Sequence, residues 1–197
     1  VAERIGKDLS RNAADAGKHY FAEAESGWDF TPRFEGYCVH CNPVDLNSNL
    51  DLYEKLFVEY EVLLGEGNGK AWAEKAKIRA EKMNTLLWDA AEGVYKDYNY
   101  VTGKLSSTVS AASFQPYFAG IATDKQKSGL PKLLQALESE WGIFTTVKTE
   151  KKYQWAHPNI WAPCQYMAAE ALCRYGYEEE SKRIARKYTE LIEKNFI

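Results

Sequence analysis

Asn47-Ser48-Asn49-Leu50-Asp51-Leu52-Tyr53-Glu54-Lys55-Leu56-Phe57-Val58-Glu59-Tyr60-Glu61-Val62-Leu63-Leu64 runs straight into Gly65-Glu66-Gly67-Asn68-Gly69. Asn47, Ser48 and Asn49 are side chains that cap helix starts, and Leu50, Tyr53, Leu56, Phe57, Tyr60 and Leu64 recur at spacings of three and four. The pattern predicts an amphipathic helix with one apolar stripe, closed by the glycine-rich turn. Working outward, the same period appears on both sides. Upstream, Val1, Ile5, Leu9, Ala13, Ala16, Tyr20 and Ala24 mark a helix over 1–24. Downstream, Trp72, Ala76, Arg79, Met83 and Leu87 form the face of a third helix. Leu130, Leu133, Leu134, Leu137 and Trp141 mark a fourth, after Thr123-Asp124. Pro158 stands near the start of a helix reaching about Arg174, and a last helix from about Glu178 carries Ile184, Tyr188, Leu191, Ile192 and Phe196.

One stretch departs from this period. Residues 93–104, Gly-Val-Tyr-Lys-Asp-Tyr-Asn-Tyr-Val-Thr-Gly-Lys, are rich in β-formers and turn residues and predict a short extended or hairpin insertion. No Pro/Ser linker or charge block marks a boundary, so 1–197 is expected to be a single all-α domain, a bundle or a toroid of antiparallel helices. At 197 residues the chain can bury roughly 70% of the surface it exposes unfolded.

Composition narrows the function. The net charge of −3 gives no electrostatic case for nucleic acid, and no apolar run approaches the roughly 18 residues of a membrane span. The residues from Val1 onward do not show the charged-then-apolar pattern of a signal sequence, and the compartment stays open. Aromatic residues reach 14%, which suits a core, an interface or platforms for sugar rings. Cys38 and Cys41 have the spacing of half a zinc knuckle. Cys164 and Cys173, however, lie more than two turns apart on a predicted helix, too far to complete one tetrahedral site. Free thiols, no metal and no cofactor are expected.

Two loops concentrate chemistry-bearing residues. Glu25-Ser26-Gly27-Trp28-Asp29-Phe30-Thr31-Pro32-Arg33-Phe34 sets an acid between two aromatics. Desolvation there favours a protonated Asp29, a possible general acid, while a nearby Arg33 would act oppositely. The competing reading is a helix-terminating loop in which Asp29 pairs with Arg33. Tyr153-Gln154-Trp155-Ala156-His157-Pro158-Asn159-Ile160-Trp161-Ala162-Pro163 offers stacking faces beside Gln and Asn amides that suit sugar hydroxyls. The competing reading is a loop that plugs the core with its Trp rings.

Glu25-Ser26-Gly27-Trp28-Asp29-Phe30 and Gln154-Trp155-x-x-Pro158-Asn159-x-Trp161-x-Pro163 resemble the two signatures of the α,α-trehalase family of glycoside hydrolases. Pro43-Val44-Asp45-Leu46-Asn47, Trp88-Asp89 with Tyr95-Lys96-Asp97-Tyr98, and Gly142-Ile143-Phe144-Thr145-Thr146 resemble its intervening segments, in order. The resemblance implies an (α/α)₆ toroid, of which this chain is about half, and an inverting reaction using one carboxylic acid and one carboxylate roughly 6.5–9.5 Å apart. By position it makes Asp29 the general acid. It places Trp28, Arg33, Asn47, Gln154, Trp155, Asn159 and Trp161 around a small carbohydrate substrate.

The family's Arg-bearing substrate loop is expected upstream of Val1 and its catalytic base downstream of Ile197, so the chain alone is expected to be inactive. Self-association or flanking segments of the same protein would cover the exposed helix faces. Ala156 stands where the family carries an acid, and Thr31-Pro32-Arg33-Phe34 replaces Ser-Ser-Arg-Trp. Another α-glycoside therefore stays open as substrate, and a non-catalytic carbohydrate-binding or scaffold protein is the alternative. Glu25, Glu35, Asp45, Asp51 and His157 are the nearby candidates for a base, none with a motif behind it.

Overall fold

The computed structural model describes residues 13–150 and 153–196. The helices are α1 (Ala13–Glu25), α2 (Val44–Leu64), α3 (Lys70–Leu86), the short α4 (Gln115–Phe118) and α5 (Asp124–Lys127), α6 (Leu130–Leu137), α7 (Ala162–Arg174) and α8 (Glu178–Asn195). Two-residue strands sit between them: β1 (Cys41–Asn42), β2 (Trp88–Asp89), β3 (Val94–Tyr95), β4 (Tyr98–Asn99), β5 (Lys104–Leu105), β6 (Glu138–Ser139) and β7 (Gly142–Ile143). The part of the first predicted helix before Ala13 lies outside the described residues. None of the described helices is long and apolar enough to cross a membrane.

The core lies between α4, α6 and α7. Phe114, Tyr117, Leu130, Leu133, Leu137, Ile143, Cys164, Ala168, Leu172 and, from α8, Ile184 are fully buried there. A ladder of edge-to-face rings crosses it, Trp88–Tyr95 at 4.9 Å, Tyr95–Tyr117 at 5.5 Å and Tyr117–Tyr175 at 5.5 Å. Such contacts add specific orientation to the area they bury.

The α2–α3 hairpin depends on Gly69. Its φ is +69°, and a Cβ there would sit 2.6–2.8 Å from the side chain and backbone of Val58, so no larger residue fits. Gly129 separates α5 from α6 for a related reason: a Cβ would lie 1.9 Å from the Gly93 carbonyl. The hairpin β2–β3 is therefore seated directly on the start of α6.

Two helix boundaries are corrected, and two further stretches take a form that the sequence left open. The first of these, 93–104, is extended and divided between two pairings: β3 pairs back with β2, while β4 forms a hairpin with β5 and also pairs with β1. The fourth helix ends at Leu137 rather than running to Trp141. There Glu138 turns to bind Arg183 and Lys187 of α8, and Ser139 Oγ closes a tight β6–β7 turn on the Gly142 carbonyl at 2.9 Å. Helix α7 starts at Ala162, with Pro163 in its first turn, because Pro158 and Asn159 belong to the preceding loop.

The second open stretch is α2. Its buried residues are Val44, Ser48, Asp51 and Glu54, whereas Tyr53, Leu56, Phe57, Tyr60 and Leu64 of the apolar stripe are exposed. The buried polar groups have local partners. Ser48 Oγ donates to the Val44 carbonyl, Asp51 pairs with Lys55, and Glu54 takes a bidentate pair from Arg79 at 2.9 and 2.7 Å. With Ser48 and Glu54 hydrogen-bonded and Asp51 ion-paired to Lys55, a polar face can turn inward, although the buried Asp51 Oδ1 has no hydrogen-bond partner among the described residues.

Candidate active site

The first loop begins where α1 stops. Ser26 Oγ donates to the Glu23 carbonyl at 2.6 Å and accepts the Trp28 N–H at 3.1 Å. The backbone then enters the left-handed region at Phe30 (φ 61°) and Glu35 (φ 53°), both of which carry a Cβ. Non-glycine residues hold that conformation only where their surroundings enforce it. Around Phe30 the enforcement is visible. Its ring stacks on Tyr20 at 5.0 Å, its carbonyl accepts the Trp155 N–H at 3.2 Å, and the next N–H, of Thr31, is held by Glu23 Oε1 at 2.6 Å.

Arg33 anchors the far side of the loop. Its side chain is completely buried, its guanidinium lies 4.3 Å over the Trp28 ring, and four N–H···O bonds of 2.7–3.0 Å run to Asp97 and Asp45. Asp97 Oδ1 also accepts the Val44 N–H, capping α2 with a negative charge at the favourable end of its dipole. Burial alone would lower the Arg33 pKa, but the two carboxylates outweigh it and hold the guanidinium protonated. Burial alone would raise Asp45; the Arg33 charge and hydrogen bonds keep it below the usual carboxylate range.

The pairing of Arg33 with Asp45 and Asp97 takes up the guanidinium that the second reading of the loop would have given to Asp29. No Asp29–Arg33 pair forms among the described residues. Asp29 is half-buried, and among the described residues no hydrogen bond or ion pair engages its carboxylate.

The second loop is built on carbonyls. Asn159 Nδ2 donates to the Tyr153 and Gln154 carbonyls at 3.2 and 2.9 Å, and Trp161 Nε1 donates to the Gln154 carbonyl at 3.2 Å. The Asn159 carbonyl takes both the N–H and the Oγ of Thr145, at 2.9 and 2.6 Å. These bonds set Trp155 and Trp161 parallel at 4.9 Å (interplanar 14°), and Trp28 joins them at 5.0 Å from Trp155 (interplanar 48°). A continuous row of three indoles, contributed by both loops, therefore ends beside Asp29. Near their junction lies a cleft of about 320 Å³ lined by Thr31, Pro32, Glu35, Thr108, Thr149 and Tyr153.

Six of the eight residues singled out by sequence are thus brought together: Trp28, Asp29, Gln154, Trp155, Asn159 and Trp161. Gln154 is exposed, and its side-chain amide makes no hydrogen bond among the described residues. Arg33 lies in the same loop but beneath it. Asn47 belongs to a different cluster: Nδ2 donates to the Pro43 carbonyl, Oδ1 accepts from Arg79, and the residue lines a cleft of about 560 Å³ between α2 and α3.

The candidate bases are committed elsewhere. Asp45 serves Arg33, Asp51 serves Lys55, and Glu35 accepts both the N–H and the Oγ of Ser107. Glu25 is exposed, and the His157 ring packs 4.4 Å from Phe144. All four cysteines are free thiols; burial pushes those of Cys38, Cys41 and Cys164 up to about 12. Among the described residues no three His, Cys, Asp or Glu side chains could hold a metal ion together.

Sequence reading passed over Glu23 and Asp97. Asp97 sits in a turn 64 residues from Arg33 and gives no local signal. Glu23 does give one, because an acid in the last turn of α1 opposes the helix dipole and needs some other reason to be there.

The Trehalase family model matches residues 9–197. The cytosolic neutral trehalase of Beauveria bassiana is 34% identical over 91% of this chain and 28% of its own length. The periplasmic trehalase of Xanthomonas campestris is 33% identical over 90% of this chain and 33% of its own length. Among solved structures, the neutral trehalase Nth1 of Saccharomyces cerevisiae matches with a TM-score of 0.83 and 28% identity, covering 98% of this chain and 40% of that one. A GH63 mannosylglycerate hydrolase from Thermus thermophilus shares the fold at 20% identity, with a TM-score of 0.67 over 88% of this chain and 43% of its own. The chain therefore spans only 28–33% of the length of these two curated relatives, and its mostly helical architecture is part of their helical toroid. Signatures, fold and relatives agree, and the chain belongs to the trehalase family.

Proposed function

We propose that this chain supplies the acid-bearing half of the active site of an inverting glycosidase acting on α,α-trehalose or a closely related α-linked disaccharide. The observation that carries the reading is Asp29, in no ion pair among the described residues and next in the chain to Trp28, which ends the Trp28–Trp155–Trp161 row. Indole faces stack on the C–H faces of a sugar ring, and the Gln154 amide is available for hydroxyls. Asp29 protonates the bridging oxygen as the C1–O bond breaks, while a carboxylate outside the assigned residues activates water on the opposite face. Attack from that face releases one β-glucose and one α-glucose from trehalose. Arg33 acts from beneath, holding Trp28 and the loop rather than the sugar. The exposed stripe of α2 supports packing against other helices of the toroid.

The test is trehalose hydrolysis followed by the anomeric proton signals of the products. The chain alone turns over slowly or not at all. Joined to the rest of the toroid, it releases β-glucose first from the cleaved ring, and Asp29→Asn lowers kcat by about 10²–10⁴ while binding persists. Hydrolysis that is indifferent to Asp29→Asn removes the assignment.

Ala156 favours a second reading, since it is buried where the family places an acid. A non-catalytic sugar-binding protein would show heat of binding to trehalose in calorimetry and no hydrolysis in any longer form.

A further inference from the structure

Glu23 lies under the Asp29 loop, and the reaction as described makes no use of it. Only 8% of the residue is exposed. It holds the bend at both ends: its carbonyl takes Ser26 Oγ at the entrance, and its Oε1 takes the Thr31 N–H at the exit, at 2.6 Å each. Between these two points lie Trp28, Asp29 and the left-handed Phe30. A left-handed phenylalanine relaxes to an ordinary conformation unless the following peptide is fixed. The Thr31 N–H belongs to that peptide.

We propose that Glu23 is a positioning residue for the general acid: by taking the Thr31 N–H it fixes the turn at Phe30 and thereby the aim of the Asp29 carboxyl, more tightly when ionised than when protonated. The catalytic consequence rests on the assignment of Asp29 above; the control of the turn does not.

A charged acceptor makes a shorter and stronger hydrogen bond to a backbone N–H than a neutral one. Which form is present depends on the groups facing Glu23. These are Asp29 and Arg33 from the loop itself, Cys38 from the 38–40 turn, and Tyr153 from the second loop. Burial pushes the carboxyl up to about 7, the Thr31 N–H and Arg33 oppose the rise, and Asp29 adds to it. The clamp therefore changes strength across neutral pH, tightening as pH rises.

The experiment is nuclear magnetic resonance on the full chain between pH 5 and 9, with amide exchange at Phe30 and Thr31. In the wild type the Thr31 amide proton moves downfield as pH rises, with a midpoint near 7. Glu23→Gln keeps an acceptor for Thr31 and so keeps its protection, but abolishes the pH step. Glu23→Ala removes both and speeds exchange at Thr31 at least tenfold.

In the longer enzyme, Glu23→Ala lowers kcat about tenfold with KM changed less than twofold. Glu23→Gln restores most of kcat and flattens the pH profile near neutrality. A Thr31 amide that does not titrate, or that exchanges within twofold of wild type in Glu23→Ala, overturns the proposal. A titrating Thr31 beside a harmless Asp29→Asn would instead refute the assignment of Asp29 and leave the clamp standing.

Discussion

Segment 26–36 is fastened by charge. Arg33 is locked between two carboxylates, and the Thr31 N–H is tied to a third. Segment 153–161 is fastened by its own carbonyls, which receive the Asn159 amide, the Trp161 indole and the Thr145 hydroxyl without any ionised partner. One loop is thus held by groups that respond to pH and to the loss of a single partner. The other is held by neutral bonds whose strength hardly depends on pH. Chemistry that moves a proton is matched to the first, and a stacking surface to the second.

The sharpest way to break this contrast is at Arg33. Arg33→Met leaves Asp45 and Asp97 near one another without their cation, and removing one partner of such a buried cluster costs about 3–5 kcal/mol. Urea denaturation measures it; a loss under about 1 kcal/mol would mean the first loop does not depend on its charges.

Next comes pH. The folded-state pKa of Glu23 is raised from 4.5 to about 7, so between those values the folded protein keeps a proton that the unfolded chain has released. Stability from this group is therefore full below about pH 4.5, falls as pH rises to about 7, and is level above that. The fall amounts to roughly 3 kcal/mol. Thermal melts of wild type and Glu23→Gln over this interval check it: the variant lacks the decline. Asp45 works in the opposite sense, contributing stability above its ordinary pKa that is lost as the solution is acidified.

A smaller change is expected in the second loop. Asn159→Ala deletes two half-exposed bonds to the Tyr153 and Gln154 carbonyls and costs about 1 kcal/mol, independent of pH between 5 and 8. Limited proteolysis within 153–161 should accelerate. Smallest of all, Gln154→Ala alters stability by less than about 0.5 kcal/mol, because the side chain is exposed and unbonded. It nonetheless weakens trehalose binding in calorimetry, and equal binding would place the sugar away from this loop.

Much of the fold is legible in the sequence, because helical spacing of residues such as Ala76, Met83 and Leu87 reports burial directly. The helix and stripe of α2 are legible too, but which face it buries is not: burial went to Asp51 and Glu54, whose partners Lys55 and Arg79 make an inward polar face tolerable. Helix length after Leu130 was overestimated because Glu138 finds its cations on α8, a contact that sequence spacing does not report.

At the site, the aromatic and amide residues were recognisable from the two signatures. The ion pairs that hold them were not, since Arg33 meets Asp97 only through the folding of the β3–β4 turn. Asn47 shows what a motif cannot report, since its side chain is bonded at the α2–α3 junction.

The indole row has an optical consequence. Rings 5.0 and 4.9 Å apart couple their electronic transitions, so Trp28, Trp155 and Trp161 absorb as one unit, with split circular dichroism in the indole band. Trp72, Trp88 and Trp141 stack elsewhere and do not join it. The molecule thus carries a label-free reporter at the very surface proposed for the sugar, one that would change in sign or amplitude when a ring lies across it.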